Sequence, residues 1–278
     1  MYDAWKSPDI LAIISRIAEI DLVPVMDWEI GHINISLQSE DEKFKALAEK
    51  SRRDSEEDGP GCSWEDEDPI VDWHTDSYPF VCVTMLSDCT NMIGGETALR
   101  KGNGETVKVR GPQMVSARPL RDKVCTNHHW QGSAVILQGR YIEHRALRAL
   151  GMTERISMVT SFRPRSSLAK DDTVLTTVRP ISDLSELYHQ FAEYRFEILQ
   201  DRFRQIEREI RDRKRARRCF NTIDVKQFIR EQIEFLQHMD KEIVEDDKVQ
   251  RGVIQDDTHL ISEDLKNRSR KRPCSTLE

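Results

Sequence analysis

The chain has 278 residues, of which 33% are charged and 38% are hydrophobic, and its formal net charge is −7. No apolar run approaches the roughly 20 residues that a membrane-spanning helix needs, which excludes that class of membrane protein. The negative charge argues against a general nucleic-acid binder. The first residues lack a signal-peptide pattern, and the six cysteines form no close pairs of the zinc type. We therefore expect a protein of the cytoplasm or nucleus that can bury a sizeable core.

The first predicted elements are one helix and two strands. A Ser-Pro start followed by isoleucines at helical spacing predicts a helix over residues 7–17. Strands are predicted at 23–25 and 28–36. On the second strand, His32 and Asn34 share one face, where they could line a ligand pocket or simply face solvent.

An acidic segment follows, with eight acidic residues among the fifteen from 54 to 68. This charge density around a Gly-Pro-Gly sequence predicts a solvated loop. The segment ends six residues before His74. A lid beside the candidate site described next is therefore the alternative interpretation.

The first candidate metal-binding motif is His74-Thr75-Asp76. Residues i and i+2 of a strand point to the same face, so His74 and Asp76 can reach one ion while Thr75 points away. The residues at 71–73 and the β-branched run at 80–86 are typical of strands. A single His-x-Asp triplet arises often by chance, so the hypothesis requires a third ligand.

Residues 115–131 interrupt a segment that otherwise runs smoothly from 111–114 into a strand-like run. They carry four charges, a proline and the adjacent pair His128 and His129. On a strand these two histidines would point to opposite faces, so at most one could join a site. We predict an insertion loop outside the core. The alternative hypothesis is a short translated intron, which transcript sequencing would test.

His144 is the third candidate ligand, and an anion-binding pair follows it. Arg155 and Ser157 lie eleven and thirteen residues later, on one face of an alternating strand. An arginine fork binds a carboxylate through two hydrogen bonds, and a serine hydroxyl two residues on can donate another. Two histidines and one carboxylate are the ligand set that holds non-haem Fe(II) on one face.

This combination resembles the Fe(II)- and 2-oxoglutarate-dependent oxygenases of the double-stranded β-helix, or jelly-roll, fold. The likeness covers about residues 70–165 of the chain, and Gly94-Gly95 resembles the glycine-glycine turn of prolyl-hydroxylase-like members. Prolyl hydroxylases usually carry a lysine at the position of Arg155, so their substrate is not implied here. As a whole, the chain is similar to uncharacterised fungal members with a helical C-terminal extension.

The resemblance implies a role for each candidate residue. His74, Asp76 and His144 would bind Fe(II), and Arg155 and Ser157 would hold the distal carboxylate of 2-oxoglutarate. The chain would then use O₂ to oxidise a small molecule or a protein, with hydroxylation as the expected outcome and succinate and CO₂ as co-products.

The C-terminal part predicts two amphipathic helices, at 182–218 and after a cap at Asn221. We expect a coiled-coil-like hairpin that packs on itself, on the core or on a second subunit as a homodimer. Basic runs at 211–218 and 268–272 could serve nuclear import or nucleic-acid contact, although such runs also favour helix ends and solvation. Residues 249–278 are expected to be disordered.

The predicted fold class is therefore α+β, with a double-stranded β-helix core, a flanking N-terminal helix and a long C-terminal helical hairpin. Residues 1–168 would form the oxygenase domain and 181–248 the helical extension. A catalytically silent scaffold acting through its helices is the alternative function. A zinc hydrolase fits less well, because no general base is evident and Arg155 and Ser157 would have no role.

Overall fold

The computed structural model describes residues 2–54, 69–88, 92–109 and 134–250. Helices and antiparallel sheets both occur, so the predicted α+β class is confirmed. The predicted insertion loop 115–131, the tail from 251 and the acidic loop beyond residue 54 lie outside the described residues. Within the described ranges, no helix is both long enough and apolar enough to cross a membrane.

The chain divides into two compact units. The first contains residues 1–24 and 29–163, and the second contains residues 25–28 and 164–278. The helices of the first unit are α1 (Tyr2–Trp5), α2 (Pro8–Ala18) and α3 (Glu40–Asp54). Its strands are β1 (Leu22–Pro24), β2 (His32–Leu37), β3 (Pro69–His74), β4 (Phe80–Met85), β5 (Ile93–Gly94), β6 (Thr97–Arg100), β7 (Thr106–Val109), β8 (Ala134–Leu137), β9 (His144–Leu147), β10 (Ala149–Leu150) and β11 (Glu154–Pro164).

These strands form two larger sheets and one short pair. The five-stranded sheet has the order β1-β11-β4-β8, with β2 also pairing with β11. The four-stranded sheet has the order β3-β9-β6-β7, and β5 pairs with β10. Strand β11 runs antiparallel to β2 and β4, and β9 runs antiparallel to β3 and β6. The two predicted histidine ligands fall on the four-stranded sheet and the predicted anion-binding pair on the five-stranded sheet.

Helix α2 begins as predicted and covers one face of the five-stranded sheet. Ser7 is its N-cap and accepts a hydrogen bond from the backbone N–H of Ile10 at 3.4 Å, and Pro8 is its first residue. The hydrophobic cluster beneath the helix contains Ile14, Leu22, Phe80, Cys82 and Phe162. Burial of this apolar face fixes which side of β4 and β11 points away from the helix.

The other face of β11, which we call its polar face, carries several polar side chains, although the neighbouring strand β4 contributes Val81, Val83 and Met85 to the same side of the sheet. Arg155, Ser157 and Ser161 alternate along β11 with the residues that face α2, a set that includes Phe162. Ser157 and Ser161 are each only 3% exposed. Because buried hydroxyls need hydrogen-bonding partners, these positions of β11 suit contact with polar groups.

The predicted strand at 28–36 begins later than expected. Residues Asp27–Glu29 form a 3-10 turn, and β2 starts only at His32. Between them, Gly31 has φ +77°, a left-handed conformation that interrupts an extended strand and favours glycine. The alternating pattern of residues 28–36 could not reveal this, since glycine is also tolerated within strands.

The second unit is built on an antiparallel helical hairpin, as predicted. Its helices are α4 (Leu184–Arg215), α5 (Thr222–Glu242) and α6 (Asp246–Gln250). Asp183 caps α4, one residue after the predicted start, and Asn221 caps α5 as predicted. Nη1 of Arg202 donates to Oε1 of Gln232 at 3.1 Å, and the hydroxyl of Tyr188 accepts from the N–H of Val244 at 3.2 Å.

Candidate metal centre

Two neighbouring strands bring His74 and His144 together. His74 is the last residue of β3 and His144 the first of β9, and the two are direct partners across these antiparallel strands. Their ring centroids are 4.3 Å apart. The register of β3 shifts between Val71 and His74, and irregularities of this kind re-aim side chains near functional sites.

Asp76 lies beyond the end of β3. The prediction that His74 and Asp76 share a strand is therefore wrong, because β3 ends at His74. The carboxylate is positioned instead by the loop, whose Asp76 N–H donates to the carbonyl oxygen of Gly139 at 2.9 Å. A Cβ atom added to Gly139 would lie 1.9 Å from Oδ2 of Asp76, so this close approach requires glycine.

The side chains of His74, Asp76 and His144 could hold one metal ion. One ligand atom from each residue lies within 4.8 Å of the other two. Nε2 of His74 is 3.7 Å from Oδ1 of Asp76, and Nε2 of His144 is 3.6 Å from Oδ2. His144 is buried, whereas His74 and Asp76 are half-buried. The cluster is thus anchored in the protein and accessible from one side.

Backbone carbonyls fix the orientation of both imidazole rings. Nδ1 of His74 lies 2.7 Å from the carbonyl oxygen of Asp72, and Nδ1 of His144 lies 2.8 Å from that of Ile142. A carbonyl oxygen can only accept, so each Nδ1 carries the hydrogen and a neutral ring presents the lone pair of Nε2. Both Nε2 atoms face the carboxylate of Asp76. Histidine ligands of metals typically have their second nitrogen held in this way.

The electrostatics of the cluster favour a cation. The hydrogen bond to Asp76 raises the pKa of His74, against the opposing effect of burial. Burial alone would raise the pKa of Asp76, but interaction with the facing imidazoles of His144 and His74 outweighs burial and lowers that pKa to about 2. Asp76 is therefore ionised at neutral pH. Two Nε2 lone pairs facing a carboxylate need a proton or a metal ion between them.

The donor set discriminates between metals. Mg²⁺ and Ca²⁺ prefer ligands that are all oxygen, whereas imidazole suits Fe, Zn, Ni and Cu. Two imidazoles and one carboxylate are the ligand set of the non-haem Fe(II) oxygenases. The residues present therefore fit the metal that the resemblance implies.

Arg155 and Ser157 lie on the polar face of β11. On the neighbouring strand β2, Asn34 is the direct partner of Ser157. Ser157 is buried and Arg155 half-buried, and the predicted pocket residues His32 and Asn34 are exposed. The predicted anion-binding pair thus shares one face, on a different sheet from the two histidines.

A buried carboxyl group connects the ligand loop with this polar face. Glu29 is 9% exposed, and the hydroxyls of Tyr78 and Ser161 face it. Tyr78 is two residues after Asp76, and Ser161 shares its face of β11 with Ser157. The loop that carries Asp76 therefore lies on the Ser157 side of the five-stranded sheet. Burial raises the pKa of Glu29 to about 7, and the two hydroxyls oppose this shift.

Sequence reasoning does not find Glu29 or Gly139. Glu29 reads as an ordinary polar residue of a strand, and nothing local indicates that its carboxyl group is buried. Gly139 reads only as a break after β8. Its role depends on a contact with Asp76, which is distant in sequence, and no spacing rule reports such a contact.

No protein-family model matches the chain, and no curated protein is similar enough to indicate a relationship. Among solved structures, the chain is similar to a crystal structure of a Pseudomonas putida prolyl-4-hydroxylase, with 20% sequence identity and a TM-score of 0.23. The matched region covers 59% of this chain and 87% of that chain. A TM-score of this size does not demonstrate a shared fold. The functional assignment therefore depends on the residues of the site.

Proposed function

We propose that the chain is an Fe(II)- and 2-oxoglutarate-dependent dioxygenase. The observation that carries this proposal is the convergence of His74, Asp76 and His144, with both Nε2 atoms facing the carboxylate. Support comes from Arg155 and Ser157, which offer a cation and a hydroxyl on one face of β11. Together these residues match the two needs of such an enzyme, a metal site and a carboxylate site.

His74, Asp76 and His144 would hold the Fe(II) ion, which when bound supplies the capacity to activate O₂ and oxidise a C–H bond. The chain's own part is to hold these donors in place. The carbonyl oxygens of Asp72 and Ile142 keep each imidazole from rotating. The half-buried position of Asp76 limits access of water to the carboxylate.

Arg155 and Ser157 would bind the distal carboxylate of 2-oxoglutarate. A guanidinium group can form two parallel hydrogen bonds to a carboxylate, a charge-assisted contact of about 1.5–3 kcal/mol. Ser157 is buried, so its hydroxyl would donate a further hydrogen bond in a place shielded from water. Because arginine stays charged at all relevant pH values, the pair would select dicarboxylates over monocarboxylates.

The proposed reaction is oxidation of a small molecule or a protein, with hydroxylation as the expected outcome. Succinate and CO₂ would be released from 2-oxoglutarate. In this proposal the antiparallel sheets of residues 1–168 form a double-stranded β-helix core, and residues 181–248 are a helical extension with no part in the chemistry.

The test is O₂-dependent formation of succinate from 2-oxoglutarate in the absence of a substrate. Wild type should form succinate above the level of Asp76→Ala, because only wild type holds the complete ligand set. His189→Ala is the matched control, since His189 is exposed on α4. Equal rates in folded, metal-loaded wild type and Asp76→Ala would favour the catalytically silent scaffold instead.

A further inference from the structure

The helical hairpin leaves a row of large apolar side chains exposed. On α4 they recur every seven residues, on α5 at spacings of four and three, and one more lies at the residue that caps α5. We call these seven residues the apolar stripe: Phe196, Phe203 and Ile210 on α4, Ile229, Ile233 and Leu236 on α5, and Ile243 directly after α5. Each is between 36% and 49% exposed, which is far more than the core residues of the same helices. Contiguous exposed apolar surface of this kind marks an interaction site.

Both helices present the stripe on the same side of the hairpin. Arg202 and Gln232 contact each other between the helices, and each is followed directly by a stripe residue, Phe203 or Ile233. On each helix, the residue that follows the contact residue is rotated by about 100° around the helix axis. Because the two helices run in opposite directions, these rotations bring both following residues to the same side of the hairpin. A second contact between the helices shows the same arrangement, since the guanidinium of Arg195 stacks on the ring of Phe235. The stripe residues Phe196 and Leu236 directly follow these two contact residues.

At the turn of the hairpin the stripe reaches an apolar groove. The groove has a cavity volume of about 490 Å³, and its apolar lining includes Ile206, Ile210, Phe220 and Val225. Arg213 also lines it. The exposed apolar surface therefore extends over the length of the hairpin to the turn.

Charge is divided between the two ends of the hairpin. The half nearer the turn, residues 202–233, has eleven basic and five acidic residues, a net charge of +6. The other half, residues 183–201 with 234–250, has eleven acidic and three basic residues, a net charge of −8. We call these the basic half and the acidic half.

We propose that the apolar stripe is the interface of a homodimer in which two hairpins lie side by side in opposite directions. In this arrangement the basic half of each copy faces the acidic half of the other, and the two stripes cover each other. A two-fold axis uses the same patch on both copies, as in most soluble dimers. Hairpins in the same direction would instead bring like charges together at both ends.

Other occupants match only part of this surface. An acidic helix or a nucleic acid would match the basic half, but neither would complement the net charge of −8 around Leu236 and Ile243. A second copy of the chain complements both halves at once. This is why charge complementarity favours self-association over a different partner.

The first test measures the association state of the full chain by sedimentation velocity at several protein concentrations. Wild type should show a reversible monomer–dimer equilibrium, and Ile233→Glu or Leu236→Glu should weaken it by roughly tenfold or more, because a charge would be buried. Ile223→Glu is the matched control. Ile223 is 76% exposed on the same helix but is turned away from the stripe, so this variant should associate like wild type.

The second test concerns direction and uses only exposed charged residues. Lys214→Glu with Lys226→Glu alters the basic half, and Glu193→Lys with Asp240→Lys alters the acidic half. Each double variant alone should dissociate, and their equimolar mixture should form a dimer again. High salt should shift wild type toward monomer, because it screens the attraction.

Several outcomes would overturn the proposal. Wild type could be monomeric at every concentration, which is the result expected if another part of the same chain or an acidic partner covers the stripe. Salt or either charge variant could strengthen association, which would indicate hairpins in the same direction. Stripe variants could associate like Ile223→Glu, which would place the interface elsewhere. Melting curves and circular dichroism confirm that each variant is folded.

Discussion

The carboxylate of Asp76 occupies the space in which any residue other than glycine at position 139 would carry its Cβ atom. That atom would lie 1.9 Å from Oδ2 and 2.7 Å from Cγ of Asp76, distances that no side chain tolerates. The same two residues share a hydrogen bond, from the N–H of Asp76 to the carbonyl of Gly139. The turn after β8 thus determines where the carboxylate ligand of the candidate metal centre lies.

Gly139→Ala should therefore weaken metal binding while leaving the fold intact. The added methyl group displaces the Asp76 carboxylate, and loss of a positioning contact of this kind typically costs about 10- to 100-fold in metal affinity. Binding of Co²⁺ followed by its visible absorption measures the effect. Gly102→Ala is the control, because nothing lies within 4 Å of its added Cβ. Unchanged Co²⁺ affinity in Gly139→Ala would remove Asp76 from the ligand set.

Transition-metal ions should stabilise the protein, and Mg²⁺ should not. An ion at about 100 times its dissociation constant adds about 2.7 kcal/mol to the free energy of unfolding, provided that it binds only the folded state. His74→Ala and His144→Ala should lose this gain, which thermal melting with and without Co²⁺ detects. His189→Ala, on an exposed position of α4, should keep it. Equal stabilisation by Mg²⁺ would contradict the mixed nitrogen and oxygen donor set.

Glu29 should make the metal-free protein less stable as the pH rises. Its folded pKa of about 7 exceeds the ordinary value of 4.5, because burial disfavours the charged form. Between these values the folded state holds a proton that the unfolded state has lost, so stability falls with rising pH by about 3 kcal/mol and then levels off. Urea unfolding with a chelator at pH 5 and pH 8 measures this change.

Glu29→Gln should remove that part of the pH dependence, because glutamine does not ionise. His74 also has a raised pKa, so it too makes stability fall as the pH rises. Because both proteins contain His74, the difference between their curves gives the contribution of Glu29 alone. Parallel curves for the two proteins would show that the Glu29 carboxyl group is already ionised at pH 5.

Arg195 should be a major contributor to the stability of the helical unit. It is fully buried, its Nη1 lies 3.3 Å from Oδ2 of Asp171, and its guanidinium lies 3.6 Å from the centre of the Phe235 ring. Arg195→Ala leaves the buried Asp171 carboxylate unpaired, and such changes cost about 3–5 kcal/mol. Arg195→Lys should recover little, since lysine lacks the planar group that stacks on Phe235. Urea unfolding measures both variants, and a loss below 1 kcal/mol in Arg195→Ala would refute this role.

Sequence patterns together with the resemblance single out His74, Asp76 and His144 as candidate ligands, and patterns alone predict the two helices of the hairpin. His74 and Asp76 are close in sequence, and the helices carry caps and apolar periodicity, so local patterns report them. The prediction that His74 and Asp76 share a strand is wrong, because β3 ends earlier than the composition of this segment indicates. Glu29 and Gly139 were not predicted, since their roles arise from packing between segments that are distant along the chain.

Anaerobic titration of 2-oxoglutarate into the Fe(II)-loaded protein tests the central claim most directly, because the bound pair gives a visible charge-transfer absorption band. Wild type should show the band, and His74→Ala should not. Arg155→Ala should need roughly 10- to 100-fold more 2-oxoglutarate, in line with the loss of about 1.5–3 kcal/mol from one charge-assisted contact. Folded wild type that binds Fe(II) and gives no band at any 2-oxoglutarate concentration would contradict the proposed function.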